Sequence, residues 1–237
     1  MAEEQSLNSV KISLIDNSAY IPSILPEYVV LGFLDEYMGR INLGDDDYVE
    51  RFYPAEEPLV KIFAEYLKVF AITRNIKTTI KITIGPHGHH YVTSAEIAKY
   101  INDTYGDNYI DSLYNNARGI SEAMFSALSD PHRVLRYDNE PVDCRFSYLL
   151  GAYMRYGSGN GFQLANSGHK IDLIITFLER LGAKWVSKVW SVGGAPRIGV
   201  IRFGPDEVLA RLFGIAPSGW DFPWLKHACA KNNAAPA

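Results

Sequence analysis

The stretch running RFSYLLGAYMRYG (145–157), GFQLANS (161–167), GHKIDLIITFLERLGA (168–183), KWVSKVWSVGG (184–194) and PRIGVIRFG (196–204) decides the fold. Its first segment spaces Leu149, Leu150, Tyr153 and Met154 for one helical face, with Gly151 and Gly157 inside or ending the helix. Glycine in a helix interior costs roughly 1 kcal/mol against alanine, so it belongs where another backbone must come close. A short strand, an amphipathic helix and two strands joined at Gly193-Gly194-Ala195-Pro196 follow. The closing helix, PDEVLARLFG (205–214), has Pro205 in its first turn and Gly214 at its end. The order is α-β-α-β-β-α.

Working outward, the same order recurs upstream. EYVVLGFLDEYMGRI (27–41) predicts a helix with Leu31, Leu34 and Met38 along one stripe. INLGDDDYVERFY (41–53) offers a hairpin or loop, and Leu59, Phe63, Tyr66 and Phe70 recur at helical spacing in the next segment. NIKTTIKITI (75–84) predicts a strand, Gly85-Pro86 a turn, HHYVTS (89–94) a strand, and SAEIAKYINDTYG (94–106) a helix capped by Ser94 and stopped by Gly106. Gly32 and Gly151 stand in register 119 residues apart, Ile97 and Val208 only 111 apart, so small insertions separate two copies. The expected organisation is an N-terminal extension (1–26), a first half (27–102), a partly helical connector (103–144), a second half (145–214) and a tail (215–237). VKISLI (10–15) predicts a strand in the extension, and ISEAMFSALSD (120–130) a helix in the connector.

A glycine-bearing apolar helix followed by strands, an amphipathic helix, a hairpin and a closing helix, twice per chain, resembles the LAGLIDADG homing endonuclease family. Leu149-Leu150-Gly151-Ala152-Tyr153-Met154-Arg155-Tyr156-Gly157 carries the better match, and Val30-Leu31-Gly32-Phe33-Leu34-Asp35-Glu36-Tyr37-Met38 the weaker one. The resemblance implies an α/β (α+β) fold of two pseudo-twofold-related αββαββα halves. The motif helices would pack at the axis, and antiparallel saddle-shaped sheets would lie in a DNA major groove. Nucleases of the family place an acid just before the final motif glycine, and the two acids bind divalent metal. Tyr37 and Tyr156 stand at those positions here, and phenols are not hard-cation ligands at neutral pH. Asp35 and Glu36 lie close by in the first copy, while the second motif helix has no carboxylate after Arg145. Two-metal phosphodiester cleavage needs carboxylates from both sides. The resemblance therefore implies a degenerate copy that binds nucleic acid, DNA or structured RNA, without cutting it. No cofactor or metal is expected; Mg²⁺ enters only if the chain is a Mg²⁺-dependent DNA endonuclease after all, with Asp35 or Glu36 serving.

Charge distribution bears on the same question. The chain of 237 residues carries a net charge of −4, yet residues 145–204 hold eight Arg and Lys against two carboxylates. Acid gathers instead at Asp45-Asp46-Asp47, Glu50 and Glu56-Glu57. Alternation in 75–84 sets Ile76, Ile80, Ile82 and Ile84 on one face against Lys77, Thr79, Lys81 and Thr83 on the other. A Lys/Thr face suits phosphate contact, although antiparallel sheets commonly present such a face to water alone. In the second half Lys184 and Lys188 share a face, with Arg197 and Arg202 on the return strand. The expected phosphate contacts are Lys77, Lys81, Lys184, Lys188, Arg197 and Arg202, with Thr79 and Trp190 touching bases.

The alternative function is a protein-interaction module, a scaffold subunit or an inhibitor of a nucleic-acid enzyme, using the aromatic tail from Trp220 to Trp224. His87, His89 and His90 in GPHGHH suggest exposure at a turn, a phosphate contact, or a metal site lacking nearby acid or Cys. Gly157–Gly161 runs from helix into strand, the reverse of a phosphate-cradling loop. Cys144 and Cys229 make no disulfide framework. The acidic MAEEQSLNS start is unlike a secretory signal, and no run approaches the ~18 apolar residues of a membrane span, so an intracellular protein is expected.

Overall fold

The computed structural model describes residues 22–35, 47–105, 141–165, 168–191 and 197–214. The elements are α1 (Pro26–Phe33), β1 (Tyr48–Phe52), α2 (Glu57–Thr73), β2 (Lys81–Ile84), β3 (His90–Thr93) and α3 (Ala95–Tyr105). They continue with α4 (Pro141–Tyr156), β4 (Gly161–Ala165), α5 (Gly168–Arg180), β5 (Trp185–Trp190), β6 (Ile198–Gly204) and α6 (Glu207–Leu212). Each half therefore shows α-β-α-β-β-α. Each sheet is antiparallel with its last strand in the centre, β1-β3-β2 and β4-β6-β5. An αββαββα half would have four strands; the described residues of each half supply three.

Local chemistry accounts for the elements. Leu59, Phe63, Leu67 and Phe70 form the buried stripe of α2, and Ile171, Ile174 and Leu178 that of α5. Ser94 Oγ accepts the Ile97 N–H at 3.2 Å and Asp206 Oδ1 accepts the Leu209 N–H at 2.7 Å, so α3 and α6 begin on side-chain caps. After α5 the chain turns through Gly182 at φ +85°, with the Ala183 N–H reaching back to the Leu178 carbonyl. Phe63 meets Phe33 and Phe52 in the first half, and Phe162, Phe203, Phe213 and Tyr153 cluster in the second.

What joins the halves is α1 against α4. A Cβ on Gly32 would overlap the Tyr148 carbonyl oxygen, and a Cβ on Gly151 would overlap the Val29 carbonyl oxygen. The two contacts are reciprocal: each glycine faces the carbonyl three residues before the other. The start of the pair is tied as well, by the Leu25 N–H to Ser147 Oγ (2.8 Å) and the Ser23 N–H to Asp143 Oδ1 (3.0 Å).

Three expectations change. The helix predicted over 27–41 ends at Phe33, because Leu34 turns to extended backbone at ψ 133°. Regular pairing in 75–84 is confined to Lys81–Ile84, although Ile76 and Ile80 still pack on the core. The segment 41–53, expected as a hairpin or loop, contains β1, paired with β3. Residues 10–15, 36–46, 106–140 and 215–237, with the predicted connector helix and aromatic tail, lie outside the described residues.

Gly151→Ala is expected to lower unfolding free energy by about 3 kcal/mol, well beyond a helix-propensity effect, because two backbones must separate. Urea denaturation of both proteins measures this; an unchanged midpoint would mean that the close approach is not what holds the halves.

Candidate nucleic-acid interface

Where α1 ends, the second half supplies the partners its last carbonyls lack. Arg155 Nη1 donates to the Phe33 carbonyl (2.7 Å), and Lys170 Nζ donates to those of Gly32 (2.8 Å) and Leu34 (2.7 Å). Tyr156 Oη lies 3.4 and 3.3 Å from the Phe33 and Leu34 carbonyl oxygens. Arg155 also reaches the Arg51 carbonyl (2.8 Å) and Glu56 (3.0 Å), stands 3.5 Å from Glu50 Oε1 and lies over the Phe52 ring. Lys170 sits over Tyr148 and Tyr156, and both cations are buried. Two of the eight cations that make 145–204 basic are thus internal and cannot meet a ligand.

Burial sets the titration of this cluster. Desolvation pushes the Glu50 carboxyl up to about 7, against the opposing charge of Arg155 and the Arg51 and Asp35 N–H donors. Burial likewise raises the Tyr156 phenol well above its ordinary value, so it stays neutral and donates. Desolvation works against the Arg155 charge, but Tyr156, Glu50, Glu56 and Asp35 more than offset it. The divalent metal of an active family nuclease does not fit here. Tyr156 offers a neutral phenol where the second acid would stand, and Glu50 is already taken by Arg155 and two N–H groups. Two buried cations lie alongside. Glu36 and Tyr37 lie outside the described residues, and among the described residues no three His, Cys, Asp or Glu gather to hold a metal ion.

Each sheet keeps one face toward its helices and leaves the other open. On the first sheet Lys81 pairs with Thr93 and Thr83 with Tyr91, and Arg51 lies across Tyr91 from β1. By strand alternation these five positions share the open face; Lys77 and Thr79, both exposed, precede β2 in the same parity. On the second sheet Gln163, Val200 and Val189 line up across the strands, as do Gly161, Arg202 and Ser187, with Trp185 beside Gly204. The six strands carry one carboxylate, Glu50, and it is fully buried.

The expected site residues separate on this frame. Lys77, Thr79, Lys81 and Arg202 belong to open faces. Val186, Lys188 and Trp190 alternate to the helix side, where Val186 and Trp190 pack on the core and Lys188 pairs with Asp172 of α5 at 2.7 Å. Lys184 precedes β5 in the same parity, and Arg197 stacks over Trp190 at 5.1 Å. Lys184 and Lys188 therefore lie along edge strand β5, Lys184 beside Gly204, with Trp190 and Arg197 at its other end. Arg51, Gln163 and Ser187 join the open faces without having been expected there. The four-residue spacing of Lys184 and Lys188 told which residues share a face, not which face the helices cover. On β2 the isoleucine face is only partly covered: Ile82 and Ile84 are 46% and 71% exposed, because β2 is an edge strand.

No family model matches the chain, and neither does any curated protein. Among solved structures it is similar to I-DmoI in complex with DNA and Ca, with a TM-score of 0.49 and 13% identity over 86% of this chain and 95% of that one. A mesophilic variant of the homing endonuclease I-DmoI gives a TM-score of 0.46 and 13% identity over 80% and 93%. I-DmoI in complex with DNA and Mn gives 0.43 and 12% over 82% and 97%. Likeness at this distance says nothing of what this chain binds. No helix among the described residues is long and apolar enough to cross a membrane.

The Glu50 shift predicts a pH dependence of stability. Below its ordinary value of 4.5 the carboxyl is protonated folded and unfolded; between there and about 7 only the folded form keeps the proton. Stability is therefore fully present at low pH and falls as pH rises through 7, by about 3 kcal/mol in all. Glu50→Gln should flatten that slope. Urea midpoints of both proteins from acid to neutral pH measure it, and parallel curves would refute the assignment.

Proposed function

We propose that the chain binds nucleic acid, DNA or structured RNA, across the open faces of its two sheets and does not cut it. One observation carries this: on a protein of net charge −4, the open faces present Arg51, Lys81 and Arg202 among Thr, Ser, Gln and Tyr side chains, and the one carboxylate of the strands, Glu50, is buried away from them. Phosphates are the polyanion that such a face suits, and hydroxyl and amide side chains complete the hydrogen bonding. The reciprocal glycine contact and the matching strand orders support an internal duplication, with two halves set about a pseudo-twofold axis. The junction supports binding without cleavage: among the described residues Tyr156 is a neutral phenol there and Glu50 is engaged by Arg155. Lys77 and Thr79 extend the first face, and Lys184, Lys188, Trp190 and Arg197 act from the hairpin edge.

A protein-interaction module is the second reading, favoured by Trp185 and Val189, which are 51% and 62% exposed on the open face of the second sheet. Binding to duplex DNA and hairpin RNA at two salt concentrations with Mg²⁺ separates the two. Under the proposal Lys81→Glu with Arg202→Glu weakens binding more than tenfold and lowers the salt slope by about 2, and the nucleic acid stays intact. Salt-independent or unaltered binding in the double variant would favour the protein partner, and Mg²⁺-dependent nicking would restore the nuclease.

A further inference from the structure

Strand β5 begins and ends on a tryptophan, and alternation sends the two to opposite faces of the sheet. Trp190 packs on the core from the helix side, with Arg197 over its ring. Trp185 belongs to the open face and is half exposed. Its indole lies on Gly204, its partner on β6. A Cβ on Gly204 would stand 2.5 Å from Nε1, 2.8 Å from Cδ1 and 3.0 Å from Cε2, all atoms of the five-membered ring. Distances so nearly equal lay the ring face down on the glycine, and Gly204 is buried although it has no side chain. The other ring face is left toward solvent. Arg202, diagonal to Trp185 and within its reach, lies over Gly161 in the same manner. The first hairpin opens on Lys81 paired with Thr93 where the second opens on Trp185 with Gly204, so this hairpin forms without an indole there.

We propose that the Trp185 indole is a stacking platform for an unpaired base, with Arg202 on the phosphate beside it. The inference rests on the nucleic-acid reading and narrows it: the nucleic acid carries an unpaired nucleotide where it crosses the second sheet. A base inside a duplex shows its edges in the grooves and keeps its faces against its neighbours, so a ring lying flat on a sheet has no base face to meet there. An unpaired base, in RNA or in DNA, offers a whole π-face, and aromatic side chains take it with little regard to sequence. Ser187, in the row of Arg202, adds a hydroxyl at the rim. Asp206, two residues past Gly204, is taken up by the Leu209 N–H at the start of α6 (2.7 Å) and turns no free charge on the phosphate. The first sheet, with Lys81 at the matching place, meets the paired stem.

The test compares a hairpin whose loop carries 2-aminopurine with the same stem as a blunt duplex, each made in RNA and in DNA. Wild type is expected to bind the hairpin of at least one polymer about tenfold more tightly than its duplex and to quench the 2-aminopurine. Trp185→Phe keeps a ring face and should retain most of both effects. Trp185→Leu keeps apolar bulk without a ring and should lose both, with duplex affinity unchanged in either variant. A ring that only covers Gly204 would move neither readout. Should Trp185→Leu fail to fold, the wild-type preference and quench, and their retention in Trp185→Phe, still decide. Equal affinity for hairpin and duplex in both polymers, no quenching, or a preference surviving in Trp185→Leu would overturn the platform and leave the open-face binding standing. Binding to none of the four probes would remove the nucleic-acid reading itself.

Discussion

Everything in this chain depends on two helices approaching until backbone meets backbone. Side chains of ordinary size would hold α1 and α4 apart, and only glycine at both Gly32 and Gly151 lets carbonyl oxygens occupy the space a Cβ would need. The contact is short, and α1 has only eight residues, so packing alone leaves its last carbonyls without partners. Lys170, Arg155 and Tyr156 supply them from across the junction. Close approach and buried cations are thus one device: the first brings the helix end within reach, and the second makes its burial tolerable.

That device has a chemical consequence. Desolvating Arg155 and Lys170 is costly unless every donor finds a partner, and carbonyls, Glu50, Glu56 and the rings of Phe52, Tyr148 and Tyr156 provide them. A cluster satisfied in this way is a structural joint. Outside the joint lie the two sheets that it positions.

The sheets divide labour through alternation. Residues facing the helices bury the aromatic and aliphatic core, and those facing away are free to carry polar chemistry. The second sheet departs from a purely polar open face, with Trp185 and Val189 beside Arg202. The first is more uniformly polar. The two open faces are therefore chemically unequal, although the strand orders match.

Much of the architecture is legible in the residues themselves. Periodicity placed α2, α3 and α5, Ser94 marked a helix start, and the paired glycines marked the helices that meet, because these depend on local spacing and on the absence of a side chain. The order α-β-α-β-β-α was readable for the same reason. Of the candidate site residues, alternation in 75–84 set Lys77, Thr79 and Lys81 opposite the isoleucines, and Lys81 lies on the open face of the first sheet. What only the tertiary structure decided was which cations are inside and which strand face the helices cover. Nothing local distinguishes Lys170 from Lys188, or Arg155 from Arg202; the first of each pair is buried because carbonyls from a helix more than 120 residues away need its protons. Likewise α1 stops at Phe33 rather than running on, because its final hydrogen bonds go to another part of the chain. Long-range partners settle such questions, and local sequence does not contain them.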